Sequence, residues 1–161
     1  MKTHHLTLAF ALALSALAAP KANAQAVLIR AELATHTNDD NKDHDTCVCA
    51  VVTTADGSSQ LAHISNGDCG GDDATEYNDN SDHSIAFQID ASGASKDACR
   101  GFKVHMWQKT HGGRGHDTWK FDARAILYFS DGLNLVANAG GVTLNSDSTS
   151  AAPAVDFANG Q

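Results

Sequence analysis

Glutamate is almost missing from this chain: Glu32 and Glu76 stand against seventeen aspartates. Glutamate favours helix interiors, whereas aspartate and asparagine suit turns and short ligand loops, so the imbalance argues against helices and for acid-bearing loops. Positive charge is also scarce, with eleven lysines and arginines facing nineteen acids for a formal charge of −8. Such a surface repels nucleic acid and anionic lipid unless a metal intervenes, so no nucleic-acid partner is expected. Long apolar runs are confined to the first residues, where Leu6 to Ala19 follows Lys2, His4 and His5 and leads into Ala22-Asn23-Ala24. A basic start, a short apolar middle and an A-x-A end make residues 1–24 a secretory signal peptide. The run is shorter than the roughly 20 apolar residues a membrane span needs, and no cysteine follows the cleavage site to carry lipid. The expected product is a secreted, extracytoplasmic protein starting at Gln25, with no transmembrane segment; losing Lys2 and Lys21 moves its charge to −10.

Familiar catalytic signatures are lacking too. There is no G-x-S-x-G, no H-E-x-x-H, no phosphate loop and no EF-hand spacing. Ser81-Asp82-His83-Ser84 and His116-Asp117 hold triad residue types, but neighbours on a strand point to opposite faces and do not line up a nucleophile with its base.

What remains, about 137 residues, is one domain with room for a real core. Its apolar period is two almost throughout: Val27 to Leu33, Cys47 to Val52, Gln60 to Ile64, Ile85-Phe87-Ile89, Phe102 to Met106, Trp119 to Phe129, Leu133 to Ala137 and Val142 to Leu144. Turn signals separate these runs at Ala55-Asp56-Gly57-Ser58, Ser92-Gly93-Ala94-Ser95, Ser130-Asp131-Gly132 and Asn138-Ala139-Gly140-Gly141. Only Ser95 to Cys99 invites a helical turn. The pattern predicts an all-β, antiparallel β-sandwich of about eight strands over residues 25–145, followed by a flexible tail over 146–161. Cys47, Cys49, Cys69 and Cys99 predict two disulfides, one from each member of the first pair to one of the second, with the pairing left open.

In an antiparallel sandwich crossed once per strand, the odd connections share one end. These are Thr37 to Asp45, Asn66 to His83 and His111 to Asp117, the three most polar loops in the chain. Asp39, Asp40, Asp43, Asp79, Asp82 and Asp117 would then share one rim. Carboxylates so crowded repel unless they are solvated or wrapped around a cation, and calcium wants six to eight such oxygens, so calcium is the predicted ion at those six aspartates. His36, His44, His83, His111 and His116 fall nearby and make zinc or copper the second choice. Trp119 alternates with Phe121 as core; Trp107 opposes Met106, and as a strand tryptophan it reads first as partly buried packing and second as the candidate ligand contact, since an exposed tryptophan enters a lipid interface or stacks on a sugar.

The order Leu33-Ala34-Thr35-His36-Thr37 into an acidic loop, the strand Gly101 to Thr110, the loop His111 to Asp117, and Trp119-Lys120-Phe121-Asp122 with Ile126 together resemble the PLAT (lipoxygenase homology) domain. Asp117 to Phe121 and Phe129 to Gly132 are similar to its secreted bacterial relatives. The resemblance implies an eight-stranded sandwich whose loops at one end bind calcium and meet lipid or a protein partner, with Asp39, Asp40 and Asp117 best matching the acidic motif. Asn38 stands where Thr-Gly-Asp is usual, four cysteines are added, and Asn66 to Asn80 is longer than the family pattern.

The sequence thus predicts a calcium-dependent binding or interaction module for a lipid, glycan or protein ligand. Two alternatives are a metal-dependent secreted hydrolase and a structural cell-surface protein without a metal.

Overall fold

The computed structural model describes residues 25–70, 75–111, 117–146 and 154–159. The segment read as a signal peptide lies outside them. Two antiparallel sheets pack face to face. The first has the order β4-β1-β7-β8 and joins β1 (Leu28–Thr37), β4 (Asp82–Ala86), β7 (Asp117–Phe129) and β8 (Asn134–Ser146). The second has the order β5-β3-β2-β6-β9 and joins β2 (Thr46–Thr53), β3 (Gln60–Gly67), β5 (Gln88–Ile89), β6 (Lys103–Thr110) and β9 (Val155–Ala158). Among the described residues no helix is long and apolar enough to cross a membrane.

The period of two does what it predicts. Ala31 and Leu33 of β1 and Trp119, Phe121, Ala123, Ala125 and Leu127 of β7 face Val48, Ala50 and Val52 of β2 and Val104 and Met106 of β6 in one buried cluster. Each fully buried large side chain there contributes about 1.5–3 kcal/mol. Trp119 is fully buried, stacks on Phe121 with centroids 3.7 Å apart and donates its indole N–H to Thr37 Oγ1 at 3.0 Å. The helical turn also appears in miniature: the Cys99 N–H reaches back to Ser95 O at 3.1 Å, and the Ser95 hydroxyl accepts from Ala98 N.

Four expectations are corrected. Ile85-Phe87-Ile89 is not one strand: β4 lies in the first sheet and β5 in the second, and buried Phe87 marks the crossing between them. Asn138-Ala139-Gly140-Gly141 is not a turn either. It lies inside β8, where Phe121 pairs with Val142 and Ala123 with Ala139, leaving one extra residue in β8. Gly141 takes φ +64°, and its N–H is bound by Asp122 Oδ1 at 2.7 Å, so the glycines form a bulge. The end of the presumed flexible tail is ordered as β9, antiparallel to β6 with Phe157 opposite Val104, which brings the strands among the described residues to nine.

The fourth correction concerns the cysteines. Cys47 and Cys69 form a disulfide closing a separation of 22 residues, a constraint worth about 3 kcal/mol in the chain-entropy picture. Cys49 and Cys99 are buried free thiols. Cys49 alternates with the core residues of β2 and so points to the outer side of its sheet, where its thiol donates to Ser65 O at 3.0 Å. Cys99 sits within the core. A sheet separates the two, so no second disulfide forms.

Candidate binding site

The three polar connections do meet at one end of the sandwich; residues 71–74 and 112–116 within them lie outside the described residues. Thr37 N donates to Ser81 O and Asn80 N to Thr37 O, both at 2.9 Å, while Lys42 and Tyr77 exchange backbone hydrogen bonds at 3.2 and 2.9 Å. The His111 N–H binds Asp45 O, and Lys120 N binds Asp40 O at 3.1 Å. Among the described residues three non-glycine residues turn left-handed, Asp40 (φ 58°), Asp68 (φ 44°) and Asn80 (φ 58°), and all belong to these connections. Short polar side chains tolerate that backbone region where glutamate does not, which gives part of the reason for an aspartate-rich loop set.

The rest of the reason is Lys42. Its side chain is fully buried at the centre of the loops, and its ammonium donates to three backbone carbonyls: Thr75 O at 2.6 Å, Asp68 O at 3.0 Å and Asp43 O at 3.1 Å. It lies 4.7 Å from the centre of the Tyr77 ring, whose hydroxyl donates to Asp68 Oδ2. Burial lowers the Lys42 pKa, and the negative charges of Asp68, Asp117, Asp43 and Asp45 pull it back. Backbone carbonyls converging on one positive charge are also what a calcium loop offers. Here the chain supplies that charge itself.

The six predicted aspartates reach this end but do not form one ligand set. Asp39 and Asp40 both face Lys120, with carboxylate oxygens 3.8 and 2.6 Å from its ammonium. Asp117 is buried, and its carboxylate accepts the Asp43 N–H at 3.2 Å. Asp82 pairs with His36 at 2.9 Å, and Asp79 is exposed in the turn before β4. Among the described residues, the only trio of metal-ligating atoms within 4.8 Å of one another belongs to Cys47, Cys69 and His111. The histidines expected near the rim divide likewise. His83 stacks on Tyr77 at 3.6 Å and meets Ser81 Oγ at 2.9 Å, but among the described residues no carboxylate hydrogen-bonds its other nitrogen, so the pair lacks an orienter. His116 lies outside the described residues.

Beside this end, on the outer face of the first sheet, runs a groove of ≈ 620 Å³. Ala34 and Gly140 leave its floor low, and Ser84, Asp122, Arg124 and Asn138 line it, with the His36–Asp82 pair at one side. The β8 bulge shapes that wall by drawing Asp122 onto Gly141. Arg124 is exposed and has no ion-pair partner among the described residues. Hydroxyl, amide, guanidinium and carboxylate groups thus edge a shallow trough whose exposed lining is mostly apolar. On the other sheet, Trp107 is half-buried on the outer face opposite Cys49, 5.3 Å from His105, beside an open hollow of ≈ 380 Å³. It is neither core nor fully exposed.

Sequence reasoning missed the central role of Lys42 and the groove. Lys42 was legible as the single cation set among four aspartates. Arg124 was legible only as an outward position on a long strand, and Asn138 was read into a turn. No protein-family model matches this chain, and no curated protein sequence matches it.

Proposed function

We propose that this chain is an extracytoplasmic β-sandwich binding module whose ligand is a glycan held in the groove on the outer face of the first sheet. The observation that carries the reading is the groove itself: a largely apolar concave floor around Ala34 and Gly140, edged by a few polar groups and by an Arg124 guanidinium with no ion-pair partner among the described residues. A sugar ring sets its C–H face on an apolar floor and its hydroxyls against the few polar groups around it, and a concave surface removes more of it from water than a flat one. The Cys47–Cys69 disulfide supports an oxidising compartment. The test is retention on a panel of neutral and uronate polysaccharides, with Arg124→Ala and Asn138→Ala alongside the parent and anionic vesicles as a separate arm. Loss of sugar retention at an unchanged thermal midpoint supports the reading. Retention that ignores both substitutions, or appears only on vesicles, removes it.

A second reading has its own observation: the Asp39 and Asp40 carboxylates converge on one ammonium, Lys120, where a calcium ion could take its place. The likeness to PLAT domains points to the same loops. For a site of about 0.1 mM affinity, 1 mM calcium would add about 1.4 kcal/mol of stability over chelator, and Asp39→Asn with Asp40→Asn would abolish the gain. A midpoint equal in calcium and in chelator leaves Lys42 as the cation that organises the loops.

A further inference from the structure

We propose that Cys47, Cys69 and His111 become a zinc(II)-binding site when the disulfide between the two cysteines is reduced. Their two sulfurs and an imidazole nitrogen already lie within 4.8 Å of one another. The placement follows from the ladder. Cys47 pairs with Lys109 across β2 and β6, and His111, two residues further along, returns to the same side of the sheet while its N–H binds Asp45 O. Two thiolates and an imidazole with a fourth position open to water form a familiar donor set for zinc, and His111 is exposed enough to admit that water.

In the oxidised form the sulfurs bind each other and offer no thiolate. A dithiol reductant transfers two electrons and two protons to the cystine, breaking the S–S bond and leaving as a disulfide. Zinc then displaces the two thiol protons to solvent and forms two Zn–S bonds. At a Zn–S distance of about 2.3 Å in tetrahedral geometry, the sulfurs sit roughly 3.8 Å apart, a separation within reach of side-chain rotation.

The donors remain close after reduction because other bonds hold the loop bearing Cys69. On one side the Lys42 ammonium grips Asp68 O at 3.0 Å and the Tyr77 hydroxyl binds the Asp68 carboxylate. On the other, the Gly70 N–H reaches His44 O at 3.4 Å. The ligands are therefore organised by contacts that do not depend on the disulfide. The remaining thiols take no part: Cys49 is buried against Ser65 and Cys99 lies in the core.

The experiment titrates cobalt(II), as a spectroscopic stand-in for zinc, into the purified protein with and without prior reduction. The reductant is a water-soluble phosphine, which takes up the oxygen of one water as it opens the disulfide and leaves no competing dithiol. The expected result is one equivalent bound by the reduced protein alone, with a sulfur-to-cobalt charge-transfer band and tetrahedral d–d bands, both lost on adding zinc. Cys69→Ser abolishes the bands. His111→Ala weakens binding roughly 10–100-fold, the least that losing a direct ligand should cost given what outer-shell losses cost. Unchanged affinity in His111→Ala, persistence of the bands in Cys69→Ser, equal binding by the oxidised protein, or no sulfur-to-cobalt band from folded reduced protein each overturns the proposal. Should reduction unfold the metal-free protein, zinc must restore the strand signal in far-ultraviolet circular dichroism for the parent and not for His111→Ala; any other pattern also overturns it.

Discussion

Lys42 and Lys120 stand at the same end of the sandwich, each among aspartates, and their surroundings make them different groups. Lys42 has no exposed surface and gives its three donor directions to backbone carbonyls. Lys120 has a side chain 40% exposed and meets only carboxylates that are themselves half or more exposed. Their pKa values move in opposite directions. Burial lowers that of Lys42, whereas the hydrogen bond to Asp40 raises that of Lys120. The buried cation fixes loop geometry, while the exposed one forms a contact that solvent screens and an incoming ion or ligand can replace. Acidic loops alone therefore say little about a bound metal; what matters is which positive charge is desolvated among them.

The largest effect that would break this comparison is at Lys42. Lys42→Met keeps most of the side-chain volume but strands three carbonyls and leaves Asp68 and Asp117 without their buried counter-charge. Removing one partner from a buried charged arrangement costs about 3–5 kcal/mol. Urea unfolding of the variant is expected to show that loss, and a change near zero would mean the loops hold together without the ammonium.

A smaller effect separates buried from exposed acids. Burial pushes the Asp117 carboxyl above its ordinary value, whereas Asp56 is held at about 2, chiefly by the Thr54 hydroxyl and Ser58, and Asp131 is lowered chiefly by the Leu133 N–H. The last two contribute stability above the unfolded carboxyl value that disappears as pH falls through their folded values. Asp117 has the opposite sign. The folded protein takes up this proton before the unfolded chain does, so acidification through that window favours the fold at this one group. Asp117→Asn removes the offset, and stability measured from about pH 6 to about pH 3 is expected to fall more steeply than in the parent. Parallel curves would show that Asp117 titrates as an ordinary surface acid.

Much of the architecture was legible because burial in a sandwich follows alternation. Trp119 and Phe121 read as inward and are inward, and parity along the strands placed the three polar connections together. The failures have physical causes. Gly140-Gly141 looked like a turn because glycine frees the backbone, yet one left-handed glycine suffices for a bulge inside a continuous strand. Val155–Ala158 was hidden because four residues give too short a period, and β9 is held by pairing with the edge of β6 and by burial of Phe157 in the core. Lys42 read as a stray counter-charge because its acceptors, Asp68 O and Thr75 O, arrive from another loop. Arg124 read as generic surface and Asn138 as part of a turn, because a groove depends on the low floor at Ala34 and Gly140, which alternation does not reveal.

The smallest expected effect sharpens the comparison most. Lys120→Ala removes an ammonium that touches Asp40 at 2.6 Å and Asp39 at 3.8 Å, yet the thermal midpoint is expected to stay where it was. The backbone bonds from Lys120 N to Asp40 O and from Asn38 N to Lys120 O remain, so the loop keeps its attachment to β7 without the side chain. What changes is the local field: two neighbouring carboxylates lose their shared cation and repel each other. A divalent ion added to this variant therefore has more to gain than in the parent. If calcium raises the midpoint of Lys120→Ala and not that of the parent, the side chain was occupying a latent ion site. A midpoint that drops on substitution, in chelator, would instead make Lys120 a structural cation like Lys42, and the distinction between the two lysines would collapse.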